Sequence, residues 1–105
     1  MGQFTLYENQ NSGSKESYPY FVDVQNDLLD GLNTRLVIPL TPLKNMGDSS
    51  IGSLCPEVDF DGNQLVLLTH QMTSVPISAL KSDVGSLEHL RDEIIAAIDF
   101  LVTGI

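Results

Sequence analysis

Helical periodicity is confined to residues 86–105, which follow everything else in the chain. Leu87, Leu90, Ile94, Ile98 and Leu101 recur at three- and four-residue spacing and form one apolar stripe, which Ile95 and Val102 widen. A lone amphipathic helix must bury that stripe against something. The preceding residues alternate in short runs of period two, so the available surface is a sheet. Strands first and a helix last predict an α+β domain. Ser86 is the expected N-cap, with Glu88 favourably placed against the helix dipole. At the other end Gly104 suits a left-handed cap, with Ile105 folding back on the helix. Asp99 lies near the negative end of the dipole, with no Lys or Arg close in sequence to offset it.

The strands read as follows. Residues 3–7 are predicted as the first, with Phe4 and Leu6 on one face. Residues 9–17 are polar and rich in Gly and Ser, and are expected as a mobile loop. Residues 18–25 form a second strand, with Tyr20, Val22 and Val24 on one face and Asp23 and Gln25 on the other. Residues 26–34 turn the chain, with Asp30 and Gly31 at the reversal. Residues 35–40 are apolar on both faces, like a central strand, although Pro39 asks for an edge, a bulge or a strand end. Residues 41–56 are irregular, with room for one short helical turn. Residues 57–69 are the clearest hairpin, turning at Asp61 and Gly62. Residues 71–77 are extended, and residues 81–85 read as a connector.

Length and composition limit the function. The chain has 105 residues, 42% of them hydrophobic, which suits a single domain, 1–105. Its net charge is −9, and the five basic residues, Lys15, Arg35, Lys44, Lys81 and Arg91, stand singly. No phosphate-binding stripe results, so direct nucleic-acid binding by this chain alone is not expected. Such acidity aids solubility or meets a basic patch on another protein. The single cysteine, Cys55, can form no internal disulfide, which fits a reducing setting. No apolar run approaches the roughly 18 residues of a membrane span. The first ten residues lack the basic and apolar regions of a signal peptide. A cytoplasmic protein away from membranes is expected.

Catalytic constellations are sparse. Cys55 and His70 are the one imaginable nucleophile and base. However, Cys55 precedes Pro56 in a loop with no sign of an oxyanion hole, and it reads as a small buried hydrophobe. One Cys and two separated His, His70 and His89, fall short of the roughly four ligands of a zinc site. No glycine pattern cradles phosphate. Glu57, Asp59 and Asp61 alternate onto one strand face, which reads as solvated. No catalytic residue, metal or cofactor is therefore expected. Two features look instead like surface for a partner. They are Leu28 and Leu29, set among Asn26, Asp27, Asp30 and Gly31, and the helix end.

QFTLY, YFVDVQNDLLD, RLVIPL, TSVPIS and the helix ending in Gly-Ile occur in this order over nearly the whole chain. Together they resemble the CcdB family, the toxins of CcdA–CcdB toxin–antitoxin modules. AAIDFLVTGI looks like the chromosomal Vibrio-type branch rather than the F-plasmid type. The resemblance implies an SH3-like antiparallel β-barrel or sheet (CcdB/MazF-like) with a small side sheet and a C-terminal helix. It implies a homodimer that is not an enzyme. Such a toxin binds the A subunit of DNA gyrase through its helix end and traps the complex in which DNA is cut. The CcdA antitoxin removes it. Operator DNA is met only by the toxin–antitoxin complex, which represses its own operon.

The resemblance also carries gyrase-binding residues onto this chain. Gly104 and Ile105 match the family directly. Leu28 and Leu29 match a pair of isoleucines, Asn26 a serine, Asp99 an asparagine, Val102 a phenylalanine and Thr103 a tryptophan. Thr103 thus removes a stacking surface, and Asp99 exchanges a neutral hydrogen bond for a charge pair with an arginine. One alternative on this fold is a MazF/Kid-like endoribonuclease toxin, against which the isolated Arg35 and Arg91 and the charge of −9 both speak. Another is an inactive homologue that keeps only its antitoxin.

Overall fold

A computed structural model describes residues 2–47 and 52–104. Among these residues the strands are β1 (Thr5–Glu8), β2 (Tyr20–Asp23), β3 (Thr34–Pro42), β4 (Glu57–Phe60), β5 (Asn63–Leu67), β6 (Thr73–Pro76) and β7 (Asp83–Ser86), followed by the helix α1 (Arg91–Thr103). They form one antiparallel sheet in the order β4-β5-β3-β2-β1-β7, and β6 joins it through β3.

The central strand explains the shape. On one side β3 pairs with β2, from Val37 opposite Asp23 to Leu40 opposite Tyr20. On its other side it serves two neighbours in turn: Thr34 to Val37 face β6, and Leu40 to Pro42 face β5. This change of partner splits that edge, and the sheet curls into a half-barrel. The α+β, SH3-like expectation is met. Pro39 sits inside the strand rather than at its end. Its carbonyl accepts from the Leu68 N–H at 2.9 Å, so its nitrogen also faces the side where β6 gives way to β5. No ladder bond is due at that gap, and the missing N–H costs little.

Alternation places Leu6, Val22, Ile38, Leu40, Val58, Leu65 and Leu67 in one core, which Phe4, Leu87 and Ile94 complete. Burying each such side chain contributes about 1.5–3 kcal/mol. Phe4 reaches the core by a left-handed backbone, φ 70°, which is why β1 starts at Thr5 and not at residue 3. The hairpin forms as expected. Asp61 and Gly62 have φ of 52° and 79°, as a two-residue type I′ turn requires, and Phe60 pairs with Asn63.

Three expectations are corrected. Residues 83–86 are a strand, not a connector. DVGS carries little strand propensity, but β7 completes the edge of β1. Gly85 is needed there, since a Cβ would lie 2.9 Å from the Phe60 ring. The helix begins at Arg91, after a 3-10 turn at Glu88–Leu90. Ser86 therefore does not cap the helix; at the entry to that turn its Oγ accepts from the Glu88 N–H at 3.1 Å. The loop at residues 9–17 is organised around buried Asn9, which donates to Ser14 Oγ and Tyr18 O and accepts from the Asn11 N–H.

Candidate functional site

The turn after β2 is built by its own side chains. Asn26 Oδ1 accepts from the Leu28 N–H at 2.8 Å, which caps a 3-10 turn at Asp27–Leu29. The Leu29, Asp30 and Leu32 N–H groups return to Asn26, Asp27 and Leu29 carbonyls. With the backbone occupied in this way, the leucines point outward. Leu28 is 89% exposed, Leu29 52% and Leu32 50%. Each forgoes the gain of burial, and exposed apolar side chains grouped in one turn are the kind of surface that marks an interaction site.

Beneath the turn lies a cation that the sequence reading treated as isolated. Arg35 is fully buried in β3. Its Nε donates to Asp23 Oδ2 at 2.7 Å, its Nη1 to Asp30 Oδ1 at 3.1 Å, and its Nη2 to both Asp27 Oδ1 and Gln25 O at 3.2 Å. Asp27 and Asp30 flank Leu28 and Leu29, so one guanidinium grips the turn on both sides of its apolar pair. The Gln3 N–H also reaches Asp27, and the Gln25 side chain donates to Leu29 O. Burial pushes the Asp23 carboxyl above its usual range, while Arg35 and the Gln25 N–H pull it back. Burial lowers the Arg35 value, but its hydrogen bond and charge pairing with Asp23 outweigh this and hold it protonated.

The helix end is a second exposed surface. Asp99, Leu101, Val102, Thr103 and Gly104 are all exposed, Val102 to 72%. Leu101 was expected against the sheet. Instead Ile94 and Ala97 take the inward positions, with Leu90, Ile95 and Ile98 partly buried beside them, and the last turn projects beyond the core. Thr103 Oγ1 donates to the Asp99 carbonyl at 2.7 Å. Gly104 takes the left-handed conformation, φ 75°, and its N–H closes on Phe100 O at 2.9 Å. No basic residue lies in the last turn. Ile105 lies outside the described residues, as does its expected packing back onto the helix.

The structure thus gathers Asn26, Leu28 and Leu29 into one patch and Asp99, Val102, Thr103 and Gly104 into another. No extensive packing joins α1 to the turn. Leu32 and Arg35 were not anticipated. The available signal was an Arg opening an apolar strand, preceded by three aspartates at positions 23, 27 and 30. Glu57, Asp59 and Asp61 are exposed, as a solvated strand face should be. Cys55 and His70 do meet, Sγ to Nδ1 at 3.8 Å, and line a cavity of their own.

A family model described as CcdB protein matches residues 3–104. The chain belongs to the CcdB family. The match contains both exposed patches up to Gly104, together with Arg35 and its aspartates. Membership makes the chain the toxin of a toxin–antitoxin module. As a CcdB-family fold it has, among the described residues, no helix long and apolar enough to cross a membrane.

Proposed function

We propose that the protein is a cytoplasmic homodimer that poisons DNA gyrase. Its surface for the gyrase A subunit comprises Asn26, Leu28 and Leu29 of the turn and Asp99, Val102, Thr103, Gly104 and Ile105 of the helix end. Binding traps the gyrase–DNA cleavage complex by occupancy alone, and the toxin itself catalyses nothing. The CcdA antitoxin releases it, and the two together repress their operon. One observation carries this reading: outward-facing leucines, held in place from below, at the positions where the family presents an apolar pair. Chemistry supports the helix end in the same role, because its carbonyls and Asp99 offer negative charge that a gyrase arginine can meet.

The ribonuclease alternative finds little support. It needs cations around a scissile phosphate. Arg35 is enclosed by three aspartates, and Arg91 leans on Asp92 at 3.5 Å.

A gyrase–DNA cleavage assay with purified protein tests the proposal. Linearised plasmid should accumulate in the presence of gyrase and not in its absence. Removing Gly104 and Ile105 should abolish it while thermal unfolding stays cooperative. Exchanging both Leu28 and Leu29 for serine should do the same, since neither side chain is in the core. Full cleavage by both variants would overturn the site, and specific cuts in added RNA would favour the ribonuclease.

A further inference from the structure

The cavity that holds Cys55 and His70 has a volume of about 550 Å³. Its wall also carries Met46, beyond the 3-10 turn at Leu43–Asn45. Three residues that carry soft or borderline donors therefore line one cavity: a cysteine, a histidine and a methionine. Among the described residues no carboxylate lines it. That composition disfavours Mg²⁺ and Ca²⁺, which take oxygen ligands, and favours a soft ion.

Geometry narrows the choice. Cys55 is 1% exposed and His70 is exposed, so the sulfur is shielded from bulk water while the imidazole reaches it. Backbone bonds fix the segments that carry both. Pro56 O, next to Cys55, accepts from the Leu67 N–H at 2.9 Å. The turn at Thr69–Gln71 is closed by the Gln71 N–H on Leu68 O at 2.8 Å and the Met72 N–H on Thr69 O at 3.1 Å. The donors stand 3.8 Å apart. With a metal–sulfur bond of about 2.3 Å and a metal–imidazole bond of about 2.0–2.1 Å, the lengths found at zinc, that separation subtends about 120° at an ion. A linear two-ligand ion would need them farther apart. That angle suits an ion of three or four ligands rather than a linear one, and Met46 lines the same cavity.

We propose that Cys55, His70 and Met46 form a binding site for one copper(I) ion. Thiolate, imidazole and thioether together are a donor set that suits this ion over hard divalent cations. Coordination releases the thiol proton to solvent, and no electrons move. The bound ion ties the segment before β4 to the turn after β5.

Anaerobic titration of the full chain with Cu(I), in competition with bicinchoninate, tests the site. One ion should bind per chain. Affinity should fall by roughly a hundredfold in Cys55→Ser and by roughly tenfold in each of His70→Gln and Met46→Leu. Cu(I) should also raise the melting temperature of the native chain by mass action, and this rise should shrink in His70→Gln, whose exposed position keeps the fold intact if Cys55→Ser does not fold. Failure of the native chain to hold Cu(I) against the competitor overturns the proposal. Unchanged affinity in either His70→Gln or Met46→Leu does so too, because the metal would then rest on a bare thiol or an incomplete set.

Discussion

Arg35 is the residue on which the apolar turn depends. Its charge is stabilised by Asp23 inside the protein and by Asp27 and Asp30 at the surface. Arg35→Ala leaves Asp23 buried without its partner, a change that typically costs about 3–5 kcal/mol. The double change Arg35→Leu with Asp23→Leu should be less destabilised than Arg35→Ala, because no charge is left uncompensated. Urea midpoints of the three proteins check this, and equal losses would mean that the pairing is not what matters. The double variant should still bind gyrase poorly, since nothing would then hold Asp27 and Asp30 beside the leucines. Tyr7 supplies a separate test on the alkaline side. Burial raises its hydroxyl above the usual value of 10.0, and the charges of Asp23 and Asp83 add to this. A raised folded value means that the unfolded chain loses its proton first. Stability therefore holds below pH 10.0 and falls between there and the folded value, at up to about 1.4 kcal/mol per pH unit. Tyr7→Phe should flatten that fall in denaturation curves taken from pH 8 to roughly 11.

At the scale of elements, the helix serves two ends. Its first turns pack through Ile94 and Ala97, and its last turn projects beyond the core. Asp99 opposes the dipole of that last turn, and no cation nearby in the helix relieves it. Asp99→Asn should therefore raise the melting temperature slightly and weaken binding to the gyrase A subunit. Calorimetry of both steps checks the pair of effects, and an unchanged affinity would remove the acidic contact from the proposed surface. The hairpin of β4 and β5 behaves more simply, because its turn residues and its alternation agree on one register.

For the whole molecule, the −9 charge now has a distribution. Arg35 is sequestered, Lys15 pairs with Glu8, and Arg91 leans on Asp92, so little positive charge is left to offset the acidic surface. Association with a basic partner should then be steered over long range and fall as salt rises. Stopped-flow association with the gyrase A subunit, from about 50 to about 500 mM salt, should show a steep decline, less steep in Asp99→Asn. A flat profile would mean that apolar contact alone drives recognition.

Local pattern was enough for much of this. The alternation in residues 57–68, the Asp-Gly turn, the helical stripe and the exposed leucine pair were legible because each is a relation between neighbours in the chain. The α+β order followed, since strands and a late helix have few ways to cover one another. Tertiary structure decided the rest. β7 exists because β1 has an open edge, not because DVGS favours a strand. Pro39 is tolerated because β3 changes partners there. Leu101 is exposed because Ile94 and Ala97 take the inward face of α1. Arg35 reads as an isolated charge until folding brings residues 23, 27 and 30 around it, and Cys55 meets His70 only across the strands between them. In each case the deciding energy is a contact between distant segments, which no local window contains.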